Sequence, residues 1–548
     1  MIRLIYILFV LFYLFSCSNS HNSSFNSFSE SFSKWNIKFS QTSSFSNSYE
    51  NILSEDKKFS NDMYLNDIKR FSIELNQINS LRLEKSKRLE YSSIKSFLDR
   101  QIYEFDKLDF RKWNLVNLLD GVLNHLSYIN YLTNSNADSK YISKEIEYLN
   151  DNIIYIVSKV EQQYSSEEHK EVIQGLMKKI NNVFGQINSP SNIFYYKYNL
   201  SELDKTLLDL NDWYTNKYVK FESIDRSVSD KYNRDYILFT ANFKGGLDSI
   251  LYDAKKSLSM YEKELFDVSL SIYMKNNDEP IWVDIEDTTN VINWTLDSLR
   301  SISYNCSDKI SVINLAEKTI SNIDNYNKKL SFKSISYNNS LVGEYQFHSI
   351  FNDSLTIYSS QNSSNLVDNY YESLSRIFPG DIYIEKALYS SGKGFNSIYI
   401  DRNYLEGFKS ILIDYYLNYA NHDMEEDEIC NLNVNEYIPA VKIYFLLDKI
   451  EDCIGTIATI KYLSENKDID SVVTENDILN LVTDEKREIY KKEIFSYDMS
   501  SLIKFVSSNR LMKLYKNKKF DKNRFKKIIN LMYENPNSNL QNIERLLR

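Results

Sequence analysis

Glycine and proline are scarce: the chain has 11 and 5 in 548 residues, against a usual ~7% and ~5%. Few breakers exclude a fold built on many tight turns and leave room for long regular elements. Histidine is equally thin. Five are present, His21, His125, His169, His348 and His422. None forms HExxH or HxxEH, and no two share one helix face, so a metal site would need ligands from distant segments. The 4 cysteines (Cys17, Cys306, Cys430, Cys453) include no CxxC, and their spacing fixes no disulfide. There is no GxSxG elbow and no Cys with a paired His as a nucleophile would need. Ser390-Ser391-Gly392-Lys393-Gly394 lacks the upstream Gly and the following Ser or Thr of a phosphate loop. Positive charge is short too. A formal net charge of −10 and a pI near 5.3 argue against nucleic acid, whose phosphates need a basic face. The Lys and Arg gathered around Lys513–Lys527 read as the solvated face of a helix.

No apolar run is long. The first, Leu4 to Phe15, follows Met1-Ile2-Arg3 and falls short of the ~20 residues that span a bilayer. One early cation, a short apolar run and a small residue before Cys17 make a secretory leader. Leu14-Phe15-Ser16-Cys17 resembles a bacterial lipobox, which implies that Cys17 carries lipid and begins the mature chain. An uncleaved anchor helix or an ordinary signal peptide are the alternatives. Ser18 after the Cys favours the outer membrane if the cell is diderm. We therefore expect a lipoprotein leader at 1–17. Residues 18–47 are crowded with Ser and Asn, cannot fold alone, and read as a tether to the lipid.

The remaining 48–548 is expected to be mainly α. Ile94, Phe97, Leu98, Ile102 and Phe105 recur every three or four residues. Ile142, Ile146, Leu149, Ile153, Ile156 and Val160 do the same, so each set is one apolar helix stripe. The period changes once. Glu344 to Ile350 alternates, Asn352-Asp353 turns, and Leu355 to Tyr358 alternates again, which predicts a small hairpin over 343–358. The length exceeds the ~250–300 residues of one core, so two helical halves around a central cleft are expected.

Four of the eleven glycines, Gly380, Gly392, Gly394 and Gly407, fall between residues 380 and 407. They mark specially shaped backbone. Two motifs frame them: Ser375-Arg376-Ile377-Phe378-Pro379-Gly380-Asp381 and Tyr404-Leu405-Glu406-Gly407-Phe408. Together they resemble the HExxPGHH and EGWALYAE motifs of the bacterial "domain of unknown function 885" family, which is helical and zinc-peptidase-like. Leu446-Leu447-Asp448 with Asp452 resembles that family's VVDTGIH segment. Asp498-Met499-Ser500 stands where the family has PGQ, and Phe520-Asp521, Phe525-Lys526, Pro536 and Leu540–Leu547 follow its C-terminal FD, FH, P and LL pattern. The resemblance covers roughly 30–548 and is clearest at 371–414 and 497–548.

The resemblance implies a site that has lost its chemistry. Ser375 stands for a ligand His, Arg376 for the general-base Glu, and Asp381 for part of the double His. Glu406 alone keeps the position of a carboxylate ligand. Asp452 replaces a further His, and Lys504 replaces a Tyr. Arg is charged throughout and accepts no proton, so Arg376 cannot activate water. Zinc, which wants imidazole, thiolate or carboxylate in tetrahedral array, is not expected. Asp381 with Glu406 would suit a weak Ca²⁺ or Mg²⁺ site; pairing or solvation of Asp381 is the plainer alternative. Arg376 is expected to pair with Glu406 or Asp381. The function implied is a lipid-anchored envelope protein that binds extended peptides or a protein partner without catalysis. An active hydrolase with rearranged ligands, or a scaffold, are the competing readings.

Overall fold

The computed structural model describes residues 21–36, 61–107, 114–134, 138–160, 167–187, 197–218, 230–241, 243, 245–276, 288–301, 334–338, 347–351, 354–358, 367, 371, 374, 375, 380, 384, 401–419, 428–429, 432–465, 467–515, 521–535 and 540–547. Among these the fold is mainly α, as the sparse breakers and the apolar stripes imply.

Three N-terminal helices form a unit with its own core. They are α1 (21–36), α2 (Asn61–Asn76) and α3 (Lys85–Ile102). In α1, Phe25, Phe28, Phe32 and Trp35 recur every three or four residues and all are buried, against Ile68, Phe71 and Leu75 of α2 and Ile94 and Leu98 of α3. The Asn22 amide donates to Glu84 at 2.9 Å, and Phe32 meets Phe97 edge-on, so α1 runs parallel to α3. Trp35 Nε1 donates to Asp67 at 2.9 Å while Phe28 meets Phe71, so α1 runs antiparallel to α2. This corrects the reading of 18–47 as a tether. Residues 21–36 are a docked helix. The Ser and Asn between the aromatics lie mostly on the outer face, so mean composition hid an amphipathic stripe.

A second group follows: α4 (Leu115–Asn134), α5 (Ser139–Lys159), α6 (Glu167–Ile187) and α7 (Lys197–Trp213). Helix α4 packs on α6 and α5, and α5 on α7. Ile142, Ile146, Leu149, Ile153 and Ile156 are all buried, as their spacing predicts. The Asp138 carboxylate caps α5 by accepting from Lys140 N at 2.8 Å.

The third group holds α8 (Asp230–Thr240), α9 (Leu247–Asn276), α10 (Thr288–Ser301), α11 (Arg402–Tyr419), α12 (Val434–Glu465), α13 (Ile469–Asn476), α14 (Asp484–Ser496), α15 (Ser500–Tyr515), α16 (Lys522–Glu534) and α17 (Leu540–Leu547). Helix α9 lies along α12, and α15 lies between α11 and α12. Helix α14 also reaches α4 and α6, and the Asn114 amide donates to Ser496 O at 2.8 Å. One hydrophobic cluster runs from Leu115 to Ile543 through both groups. Among the described residues the cores divide after α3, not between two halves.

The predicted hairpin is present. Strand β2 (Phe347–Phe351) pairs antiparallel with β3 (Ser354–Tyr358), in the register Ile350↔Leu355. Its turn residues, Asn352 and Asp353, lie outside the described residues. A strand that the sequence reading missed, β1 (Ser334–Asn338), pairs parallel with β3 on the other edge. Its Ser-Ile-Ser-Tyr-Asn does alternate polar and apolar residues, a local signal that the sequence reading overlooked.

Candidate functional site

Helix α11 carries Arg402, Glu406 and Lys409 at spacings of four and three, on one face. The Glu406 carboxylate pairs with Lys409 Nζ at 3.1 Å, and the two side chains are only 12% and 17% exposed. Gly407 sets how near α15 comes. A Cβ at Gly407 would stand 2.8 Å from Leu511 Cδ1 and 3.2 Å from Ser507 O. That close crossing brings Lys504 of α15 into the field of Glu406. Burial alone would raise the Glu406 carboxyl, but Lys409, Lys504 and Arg402 outweigh it and hold the group down at about 2.

Lys504 also faces Asp452 of α12. Burial works against the Lys504 ammonium, yet Glu406 and Asp452 together raise its pKa above the usual lysine range. Asp452 is buried, with Lys449 Nζ at 3.6 Å. Burial pushes its carboxyl up in spite of Lys449 and Lys504, and the neighbouring Asp448 adds to the rise. Asp448 accepts from the Tyr371 hydroxyl. Glu451 pairs with Lys486 at 2.7 Å.

The α14–α15 junction closes the arrangement. Arg402 donates to Asp498 and, at 2.7 Å, to Ser500 Oγ. Glu493 accepts from Ser501 N at 3.0 Å and from Ser501 Oγ at 2.8 Å. Met499 has φ 53° and is fully buried. This left-handed conformation favours glycine, and Met499 stands where the resembled PGQ pattern has its Gly. The C-terminal pattern has a local reason as well. Asp521 caps α16 by accepting from Asn523 N at 2.9 Å and Arg524 N at 3.2 Å, and Phe525 is buried.

Three of the residues singled out from sequence, Glu406, Asp452 and Lys504, thus meet in one partly buried charge cluster. Ser375 follows the fully buried Leu374 of the main core. Arg376, Asp381 and Cys17 lie outside the described residues. The described partner of Glu406 is Lys409. The sequence reading missed Lys409, Arg402 and Lys449, although each lies three or four residues from an acid on the same helix. Glu493 had no sequence signal, since it reaches the site by folding.

A dication at Glu406 would face the repulsion of Lys409, which pairs with it, and of Lys504 and Arg402, which act on the same carboxylate. Among the described residues no three His, Cys, Asp or Glu converge as a metal-ligand set. A cavity of about 510 Å³ lies elsewhere, lined by Phe243, Ile250, Phe505, Arg510, Leu514 and Glu544 among others. None of Glu406, Asp452 and Lys504 borders it. No described helix is long and apolar enough to cross a membrane.

No family model matches the chain, and no curated protein matches it. Solved structures do. A protein from Shewanella oneidensis, provisionally described as a lipoprotein of unknown function, superposes with a TM-score of 0.65 at 12% identity, over 95% of this chain and 99% of that one. Another, from Colwellia psychrerythraea and also provisionally described as a lipoprotein, gives 0.43 at 9% identity, over 91% of this chain and 79% of that one. The chain therefore shares its fold with the Shewanella protein over nearly the whole of both.

Proposed function

We propose that the protein is an envelope lipoprotein, anchored through Cys17, whose α11–α12–α15 cluster belongs to a non-catalytic site for an extended peptide or a protein partner. The observation that carries the binding reading is the charge balance around Lys504. In a hydrolytic site of the resembled kind, a carboxylate is held free for a metal and a base is held free for water. Here Glu406 is met by Lys409, Lys504 and Arg402, and Asp452 by Lys449 and Lys504. Both carboxylates serve as counter-ions. The lipobox-like Leu14 to Cys17 supports the anchor, as does the description of the Shewanella protein as a lipoprotein.

The test uses the full chain expressed with its leader and purified from membranes. Mass analysis should find an acylated Cys17 at the mature N-terminus. Incubation with zinc should leave less than stoichiometric metal, and a mixed peptide pool should stay uncleaved. Peptides retained by the chain should bind several-fold more weakly to the Lys504→Met variant. One zinc per chain, lost together with peptide cleavage in Glu406→Ala, would overturn the binding reading.

A further inference from the structure

The N-terminal unit has two ends, and they differ. At one end Tyr103 stacks on Tyr236, and the Tyr236 hydroxyl donates to Glu104 at 3.2 Å. Tyr236 belongs to the main core, so this end is docked to the body. The opposite end holds the start of α1, the 77–84 connection and the start of α3. There Arg82 Nη1 lies 3.2 Å from His21 Nε2, and Glu84 N donates to Asn22 Oδ1 at 3.2 Å. Helix α3 has 18 residues, so about 27 Å separates the two ends at ~1.5 Å per residue.

The free end has an unusual surface for an acidic protein. Leu81 sits on a single helical turn, Ser80–Arg82, and is 77% exposed. The turn is a firm support. Arg88 ties it by donating to Leu83 O at 2.7 Å and to Leu81 O at 2.8 Å. Arg82 and Lys85 are exposed and Lys87 is half-buried. Glu84 is the one carboxylate between residues 81 and 88, and Asn22 donates to it.

From these observations we infer that the Leu81 turn is a membrane-contact tip, with Leu81 entering the interface of an anionic phospholipid surface and Arg82, Lys85 and Lys87 meeting its phosphates. The inference rests on the Cys17 anchor of the proposed function. Residues 18–20 alone separate Cys17 from His21, so Cys17 lies within about 14 Å of His21 at ~3.6 Å per residue, and the His21 ring touches Arg82 of the tip. One acyl-linked anchor combined with a basic patch gives firmer attachment than either alone. The three-helix unit then acts as a spacer, lipid surface at one end and α8 at the other. An acidic protein partner would meet the same cations, but it would not explain their position beside the lipid-bearing N-terminus.

The test places a tryptophan at the tip. Full-length chains with Leu81→Trp or Ile478→Trp are expressed with the leader, purified and reconstituted in vesicles whose acyl chains are brominated. Quenching is read above that of the parent protein. Leu81→Trp should be quenched strongly in phosphatidylglycerol vesicles and weakly in phosphatidylcholine. Ile478→Trp, also exposed, should not respond. Each of Arg82→Glu, Lys85→Glu and Lys87→Glu should weaken vesicle affinity by about fivefold or more, and high salt should mimic them. A Leu81→Trp signal no stronger than that of Ile478→Trp overturns the inference. Mass analysis of Cys17 in the same sample separates the two readings. If Cys17 is unmodified, the anchor fails; flotation of that chain with phosphatidylglycerol vesicles, lost in the triple Glu variant, would still uphold the tip, and no flotation would sink it.

Discussion

Glu406 pairs with Lys409 one helical turn further along α11, at 3.1 Å. The pair faces Lys504 across the close α11–α15 crossing at Gly407. Its consequence is a carboxylate held charged where burial favours protonation, and the first prediction follows from that sign. The Glu406 carboxyl falls from its ordinary 4.5 to about 2 on folding. Its stabilising contribution is present above pH 4.5 and is lost as the pH falls toward 2. At ~1.4 kcal/mol per unit this is about 3 kcal/mol. Urea unfolding followed from pH 6 to pH 2 should show a steeper loss for the parent than for Glu406→Gln.

Asp452 carries the opposite sign. Its carboxyl is raised by burial, so ionising it costs stability as the pH climbs above the ordinary aspartate value. Asp452→Asn should therefore cost less at neutral pH than Glu406→Gln does. Unfolding midpoints of both variants at pH 7 check this order, and the reverse order would mean that Lys449 and Lys504 outweigh the burial.

Lys504 offsets the burial of both acids, so its removal leaves Glu406 to Lys409 and Arg402 and Asp452 to Lys449. Lys504→Met should destabilise by about 1–2 kcal/mol, less than breaking a direct buried ion pair costs. Adding Glu406→Gln should restore part of the loss, with a coupling on the order of 1–3 kcal/mol in a double-mutant cycle. Strict additivity would show that the two residues do not interact.

Gly407 is a packing glycine. Gly407→Ala pushes a methyl to 2.8 Å from Leu511 Cδ1 and 3.2 Å from Ser507 O. The backbone oxygen cannot move aside alone, so the α11–α15 crossing must widen, at about 1–3 kcal/mol. Leu511→Ala in the same chain relieves only the first contact. Thermal unfolding of the two variants should show partial rescue at most.

Helix α1 is held by its aromatics. Trp35 is buried and its indole donates to Asp67 at 2.9 Å. Trp35→Ala should cost the N-terminal unit about 3–5 kcal/mol and expose 21–36 to proteolysis before the main body. Cleavage at the same rate as in the parent would mean that α1 contributes no barrier there.

The sequence by itself determined the helical class, because spacing such as Ile142, Ile146, Leu149, Ile153 states a buried face without any partner being known. It also determined the hairpin, since alternation on both sides of Asn352-Asp353 is local. It named Glu406, Asp452 and Lys504, although through resemblance and not through any pattern of their own. Composition misled once: the serines and asparagines of 21–36 concealed Phe25, Phe28, Phe32 and Trp35, whose burial needs α2 and α3. Tertiary structure alone decided that Lys504 meets both Glu406 and Asp452. These three lie on different helices, and their mutual effect depends on distance and on lost water. Coulomb energy rises as the site dries, and a linear sequence carries neither quantity.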